Sequence, residues 1–213
     1  MPELEVYVTL RSPYSYLASP RIREIARTLP IEVVLRPVYP IAIRIPDFFE
    51  KADPMWLAYF QRDVPRVAEM LGVAYAAPDP DPIVQDMETA RIAVDQPHIW
   101  RLTRLTQAAC EMGGGLAFYA GAARAVFGAE GSWAAPGRLE AAAAEAGLDW
   151  AALAARVEAD PEGLDRQIAQ NAEAQRRSGH WGTPLLVFEG EPFFGQDRVE
   201  MCLWRMRQKG VSA

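Results

Sequence analysis

The chain has 213 residues, of which 50% are hydrophobic and 23% are charged, and this predicts one large domain or one domain that carries an insertion. The net charge of -6 argues against a general nucleic-acid-binding surface. No run of about 18 apolar residues occurs, and the acidic start with Glu3 and Glu5 is unlike a signal peptide, so we expect no membrane association.

Cys110 and Cys202 are the only cysteines, and they lie far apart in helical patterns. We expect two buried, reduced thiols, with a disulfide between them as the alternative. No Cys-x-x-Cys pair is present, so we expect neither a metal site nor a dithiol redox site. The cytoplasm is the expected location.

The first 40 residues read as a βαβ unit. An apolar strand over Leu4–Leu10 is followed by an amphipathic helix over Tyr14–Thr28 and a β-rich run over Ile31–Leu35. A βαβ connection predicts that the two strands are parallel.

The middle of the chain reads as a helical block. We expect an irregular Pro-rich segment over 37–54 and a Pro/Asp linker over 78–82. Ala-, Arg- and Glu-rich periodic segments predict helices over 55–71, 86–95, 99–112, 116–127, 137–146, 149–159 and 161–178.

After Gly179 the pattern returns to strands. Pro184–Phe188 and Pro192–Phe194 predict a hairpin, and Asp197 is a candidate N-cap for a last helix over Arg198–Lys209. The order βαβ, helices, ββα predicts an α/β fold with a thioredoxin-like core (1–40 and 180–213) and a large all-helical insertion (41–179).

Ser12-Pro13-Tyr14-Ser15 lies between the first strand and the first helix, where a thioredoxin-type oxidoreductase has its Cys-x-x-Cys. Taken alone, Ser-Pro is an ordinary helix start. In a thioredoxin-like fold it would mark a thiol-handling site without its own thiol, so that the sulfur would come from a ligand.

Two later motifs would lie at the same place in such a fold. Gly182-Thr183-Pro184 precedes the third strand, where a cis-proline is expected and the preceding backbone can pair with a peptide-like ligand. Gln196 and Asp197 precede the last helix, where a carboxylate and helix N–H groups together suit an amino-acid head group.

Taken in order, "SPYSYLA", "RP", "GTP" and "FFGQDR" make the chain similar to the 2-hydroxychromene-2-carboxylate isomerase family over about residues 4 to 209. That family is related to kappa-class glutathione transferases and DsbA-like proteins. The resemblance implies a homodimer with glutathione as cofactor.

The resemblance also implies roles for individual residues of this chain. Ser12, the catalytic residue, would donate a hydrogen bond to the glutathione sulfur. Thr183, before Pro184, would pair its backbone with the cysteinyl unit, and Gln196 and Asp197 would hold the γ-glutamyl end. Lys51 and Asp53 are candidates for the glycyl end, where the family pattern does not align.

Several aromatic and titratable side chains have two readings. Tyr14 and Trp181 are candidates for a pocket that takes a small aromatic substrate, and the Phe48 and Trp56 regions either wall that pocket or belong to the core. His180 is either a general acid or base or a lone surface histidine.

The resemblance implies a glutathione-dependent isomerase that acts on an aromatic enone or pyruvate-type substrate by reversible glutathione addition. The alternatives are a kappa-like glutathione transferase, which makes the same addition and releases the conjugate, and a non-catalytic thioredoxin-fold binding protein. A dithiol oxidoreductase is disfavoured because neither cysteine lies near the first helix.

Overall fold

The computed structural model of the protein describes residues 1–45, 47–86, 88, 89 and 91–212. Within these residues, a small sheet formed by the two ends of the chain is surrounded by helices. In chain order the elements are β1 (Glu3–Val8), α1 (Pro13–Thr28), β2 (Glu32–Pro37), α2 (Ile41–Arg44), α3 (Pro54–Leu71), α4 (Pro97–Glu111), α5 (Gly115–Phe127), α6 (Arg138–Glu145), α7 (Trp150–Ala159), α8 (Pro161–Arg177), β3 (Leu185–Phe188), β4 (Glu191–Phe194), a 3-10 turn (Gln196–Arg198) and α9 (Val199–Gln208).

The sheet has the strand order β2-β1-β3-β4. β1 and β2 run parallel, whereas β3 is antiparallel to both β1 and β4. The predicted βαβ unit, hairpin and thioredoxin-like order are therefore confirmed. Tyr7 pairs with Leu185, so the chain leaves β1 beside the point where it enters β3. This register brings the start of α1 close to the residues that precede β3.

Side chains alternate between the two faces of the sheet along a strand, and in β1 side chains on both faces are buried. Leu4, Val6 and Val8 of β1 face the main core, which also contains buried side chains of α1, α4 and α5. Tyr7 faces the other side with Leu185 and packs with it beneath α8. α8 thus covers the sheet directly, although the predicted boundary at 179/180 assigns it to the insertion, and that division stays a prediction.

The predicted helix over 86–95 is wrong. Positions 87 and 90 lie outside the described residues, and the others form a short irregular hairpin with an isolated bridge between Gln85 and Ile92. The Asp86 carboxylate accepts hydrogen bonds from the N–H groups of Glu88 and Thr89 at 2.9 and 2.7 Å. Such an aspartate turn competes with helix formation.

The Pro-rich segment 37–54 is less irregular than predicted. It contains the four-residue helix α2, whose last residue is Arg44. Arg44 is tied by hydrogen bonds to α8 and to the residues before β3. This part of the chain therefore lies beside the end of the sheet at which Ser12 and Thr183 meet.

Candidate functional site

Ser12 begins α1. Its backbone is extended (φ -104°, ψ 110°), and its hydroxyl oxygen accepts a hydrogen bond from the Ser15 N–H at 3.2 Å, while Pro13 is the first helical residue. This is the ordinary capping role that serine and proline have at a helix start. Ser12 is partly exposed, whereas Ser15, in the second cysteine position, is fully buried.

The Ser12 hydroxyl also reaches across the site. It donates a hydrogen bond to the Thr183 carbonyl at 3.3 Å, although the two residues are 171 positions apart in the chain. The Thr183–Pro184 peptide bond is cis, as predicted. Ser12, Thr183 and Pro184 are thus brought together in the arrangement that the motif order predicts.

The residues before Pro184 are packed tightly against the hairpin. A Cβ atom at Gly182 would collide with the Phe194 ring and lie 2.9 Å from His180, so only glycine fits there. The His180 ring stacks on Phe194 at a centroid distance of 3.9 Å, and its Nδ1 accepts a hydrogen bond from the Gly182 N–H at 2.8 Å. Burial lowers the pKa of His180, which keeps the ring neutral and able to accept this bond.

The backbone of Thr183 is open to pairing with a ligand. Within the described parts of the chain, the Thr183 N–H donates to no protein group, and the Thr183 carbonyl accepts only from the Ser12 hydroxyl. A cysteinyl unit that pairs like an added strand needs one such donor and one such acceptor. The backbone of Thr183 fits that requirement.

The structure places Gln196 differently from Asp197. Gln196 is 7% exposed, and its amide oxygen accepts a hydrogen bond from Arg21 of α1 at 2.7 Å. Burial lowers the pKa of Arg21. The Gln196 amide oxygen is therefore engaged inside the protein, and Arg21 is a neighbour of the site that the sequence did not indicate.

Asp197 is exposed, and its carboxylate pairs with Arg198 at 2.6 Å. The capping prediction is wrong, because no side chain caps the 3-10 turn and α9 begins two residues later, at Val199. The backbone N–H groups of Gln196 and Asp197 donate to no group in the described parts of the chain. Free N–H groups beside an exposed carboxylate still suit an amino-acid head group.

Tyr14 faces α3. Its hydroxyl donates to the Asp63 carboxylate at 2.7 Å, and its ring packs edge-on against Phe60 at a centroid distance of 5.5 Å. Burial and the neighbouring Asp63 both raise the pKa of Tyr14, so the hydroxyl stays protonated. Tyr14 contributes an aromatic surface beside Ser12, with its polar end directed away.

An aromatic row continues from there to Trp181. Phe60 stacks with Trp56 at 5.7 Å, Trp56 contacts Phe48 at 6.0 Å, and Phe48 contacts Trp181 at 5.6 Å. A cavity of about 550 Å³ opens beside this row, and Phe48, Trp56 and Trp181 are among the residues that line it. Trp181 is 40% exposed. The row links the two aromatic residues singled out in the sequence, Tyr14 and Trp181.

Lys51 and Asp53 also line this cavity, but both have partners in the protein. Lys51 forms a salt bridge with Asp47. The Asp53 carboxylate caps α3 by accepting from the Met55 N–H at 2.8 Å. Neither residue presents an unpaired charge to a glycyl carboxylate.

Comparison with known proteins agrees with the fold. The model of the DSBA-like thioredoxin domain matches residues 3–206. The chain belongs to the DSBA-like thioredoxin domain family. A comparison with curated protein sequences yields no match.

Solved structures show the same fold across the whole DSBA-like domain. A 2-hydroxychromene-2-carboxylate isomerase is 16% identical with a TM-score of 0.72, and the match covers 97% of this chain and 95% of that one. A probable DsbA oxidoreductase from Streptomyces coelicolor is 19% identical (TM-score 0.67; 98% and 89% covered). The cytosolic disulfide reductase DsbM from Pseudomonas aeruginosa, in a structure with GSH, is 20% identical (TM-score 0.61; 96% and 99% covered).

The cysteines of this DSBA-like domain lie away from the site. Both thiols are free, and burial raises the pKa of each to about 12. The Cys110 thiol lies 3.6 Å from the Leu35 carbonyl, and Cys202 is buried in α9. Neither thiol is poised as a nucleophile.

Three further features concern the domain outside the candidate site. No cluster of three or more potential metal-ligating side chains occurs among the residues that the structure describes. None of the helices in that part of the chain has both the length and the apolar character that a membrane crossing requires. A second cavity, of about 410 Å³ and lined in part by Trp133 and Trp150, lies in the helical block, and none of the candidate site residues lines it.

Proposed function

We propose that this protein is a glutathione-dependent isomerase, similar to 2-hydroxychromene-2-carboxylate isomerase, that acts on a small aromatic enone or pyruvate-type substrate. The observation that carries the proposal is the 3.3 Å hydrogen bond between the Ser12 hydroxyl and the carbonyl before cis-Pro184. It places a neutral hydroxyl donor where the fold has its redox cysteine, next to a backbone that can pair with a peptide. The likeness to an isomerase and to a structure with GSH supports the same reading.

The residues present fit a cysteine-containing tripeptide. Thr183 would pair its free N–H and its carbonyl with the cysteinyl unit beside Pro184, and Ser12 would donate to the sulfur. Asp197 would hold the γ-glutamyl ammonium, and the N–H groups of Gln196 and Asp197 would hold its carboxylate. When bound, glutathione would supply the thiolate that adds reversibly to a conjugated double bond, so that the bond can rotate before elimination.

Ser12 would then have to exchange partners. Its hydroxyl donates to the Thr183 carbonyl in this structure. The same carbonyl would accept from the cysteinyl N–H of the bound tripeptide. Turning the hydroxyl towards the sulfur releases the carbonyl for the ligand. Because a helix dipole contributes only about 0.3–1 kcal/mol and one pKa unit corresponds to about 1.36 kcal/mol, the Ser12 donor is needed to favour a thiolate at neutral pH.

The aromatic cavity is the proposed substrate site. Its volume of about 550 Å³ suits a small bicyclic compound, and Phe48, Trp56 and Trp181 offer ring faces and edges for stacking. Trp181 is next to Gly182 in the chain, so this wall lies close to the backbone that would hold the cysteinyl unit. A homodimer and a cytoplasmic location stay predictions; light scattering of the purified protein tests the first.

A kappa-like glutathione transferase shares the first step, and a product assay separates the two. The isomerase yields a net isomer of 2-hydroxychromene-2-carboxylate while the glutathione concentration stays constant. A transferase consumes glutathione and releases a conjugate. A non-catalytic binding protein gives neither product.

Binding of the cofactor is tested first by thermal unfolding with millimolar glutathione, because a ligand of the native state raises the melting temperature. We expect a rise for the wild type and a smaller one for Ser12→Ala. Asp149→Ala is the matched control, since Asp149 caps α7 by accepting from the Ala152 N–H at 2.7 Å, in the helical block. No rise in the wild type at saturating glutathione would overturn the proposal.

A further inference from the structure

We propose that Arg44 and Gln175 are positioning residues that fix the backbone of residues 181–183 for pairing with the cysteinyl unit of a bound tripeptide. The identity of the ligand rests on the proposed function. These two side chains order the loop whichever ligand binds there.

Gln175 forms the inner half of this arrangement. It lies in α8, is fully buried, and donates from Nε2 to the Gly182 carbonyl at 2.7 Å. Its amide oxygen accepts from Arg44 Nη1 at 3.1 Å. Both ends of a buried amide are thus used, and one of them holds the residue immediately before Thr183.

Arg44 forms the outer half and connects three segments. Its Nε donates to the Tyr39 carbonyl at 2.7 Å, Nη1 to Gln175, and Nη2 to the Trp181 carbonyl at 2.9 Å. A planar guanidinium holds three such acceptors in fixed directions, whereas a lysine ammonium on a flexible stem does not. The end of α2 is thereby fixed to α8 and to the loop.

The charge of Arg44 has no carboxylate partner within 4.0 Å among the described residues. Burial, with a smaller contribution from Arg176, lowers the pKa of Arg44 to about 10. A half-buried cation bound only to neutral oxygens has a desolvation cost that an apolar side chain would avoid. The role of Arg44 at this position is therefore to hold its acceptors in a fixed geometry more than to stabilise the fold.

Together with His180, these side chains engage three backbone groups of residues 181 and 182 before any ligand arrives. Arg44 holds the Trp181 carbonyl, Gln175 holds the Gly182 carbonyl, and His180 accepts from the Gly182 N–H. Among the described residues the Thr183 N–H, next to the cis peptide bond, has no acceptor. A loop ordered in advance does not lose that conformational freedom on binding, so its affinity is higher.

The experiment compares Arg44→Lys and Gln175→Met with Asn171→Leu. Asn171 lies one turn before Gln175 on α8, is also buried, and donates to the Pro37 carbonyl at 3.0 Å, away from the loop. Glutathione affinity is measured by calorimetry, stability by denaturant unfolding, and loop order by hydrogen exchange of the Gly182 amide. Gln175→Met keeps the test possible if Arg44→Lys does not fold.

We expect Arg44→Lys and Gln175→Met to bind glutathione about tenfold more weakly, the equivalent of one lost net hydrogen bond, and to exchange the Gly182 amide faster. Asn171→Leu should lose stability while its affinity and its Gly182 exchange stay within about twofold of the wild type. Equal affinity losses in all three variants, or wild-type Gly182 exchange in both loop variants, would overturn the inference.

The exchange measurement separates this inference from the proposed function. A wild type that does not bind glutathione defeats the proposed function. Faster Gly182 exchange in Arg44→Lys or Gln175→Met, but not in Asn171→Leu, would still support positioning in that case.

Discussion

The two ends of the proposed glutathione site, Ser12 with Thr183 at one and Gln196 with Asp197 at the other, are built differently. At the sulfur end, Ser12 and the backbone of Thr183 meet directly beside the ends of the central strands β1 and β3. At the γ-glutamyl end, Asp197 is exposed, but the Gln196 amide oxygen is turned inward onto Arg21. The first end depends on the backbone pairing of β1 with β3. The second depends on how individual side chains pack between α1 and the 3-10 turn.

The largest expected effect is at the sulfur end. Ser12→Ala removes the donor to the sulfur, and loss of one such donor lowers turnover by about 100-fold or more. The rate of isomerisation of 2-hydroxychromene-2-carboxylate at saturating glutathione measures this. Ser15→Ala changes the same residue type one turn along α1, and its activity should stay close to that of the wild type because Ser15 is buried. A Ser12→Ala rate within twofold of the wild-type rate would contradict the assignment.

A smaller effect is expected at the other end. Asp197→Asn should weaken glutathione binding about tenfold, because a carboxylate–ammonium contact is lost, while turnover at saturation is unchanged. The variant should also cease to discriminate between glutathione and an analogue that lacks the γ-glutamyl amino group. Glu200→Gln is the control for a general change of charge near α9. If Asp197→Asn still prefers glutathione to this analogue as strongly as the wild type does, the γ-glutamyl ammonium is not bound by Asp197.

Gln196 should behave as a structural residue by comparison. Gln196→Met leaves the Arg21 donor without its acceptor, so the free energy of unfolding should fall by about 1–3 kcal/mol. Glutathione affinity should change by less than about twofold, because the backbone N–H of residue 196 is retained. If Gln196→Met weakens binding as much as Asp197→Asn does, the glutamine side chain contacts the ligand and the contrast between the two residues fails.

The smallest effect concerns His180. Its pKa is lowered in the folded protein, so the unfolded chain binds a proton first as the pH falls below about 6.5. His180 should therefore contribute stability that is present at neutral pH and is lost as the pH falls through the folded-state pKa. Denaturant unfolding from pH 7.5 to 5 measures this. His180→Asn keeps an acceptor for the Gly182 N–H and should flatten the dependence; an unchanged slope would rule out His180 as its source.

Much of the fold could be predicted, because periodicity and strand order depend on local sequence. The parallel β1–β2 pair, the β3–β4 hairpin and the cis bond before Pro184 follow from such patterns. The turn at Asp86 could not be predicted. It is held by hydrogen bonds in which the Asp86 carboxylate accepts from nearby backbone N–H groups, and in the sequence such an aspartate resembles the N-cap of a helix.

The candidate site could be predicted only where it consists of backbone and adjacent motifs. The motif order, together with the resemblance to a known family, indicates Ser12 and Thr183. Arg21, Arg44 and Gln175 could not be predicted, because Arg21 and Gln175 lie in helical patterns and Arg44 in a segment predicted to be irregular. Their roles arise from contacts between segments far apart in the chain. The sequence carries no local signal for such contacts.

The most direct test of the central claim, that Ser12 serves a sulfur supplied by glutathione, is a pH titration of the thiolate absorbance of protein-bound glutathione. We predict that the pKa of bound glutathione falls well below its free value of about 8.5 in the wild type and returns towards that value in Ser12→Ala. An unshifted pKa in the wild type, or the same lowered pKa in both proteins, would contradict the account.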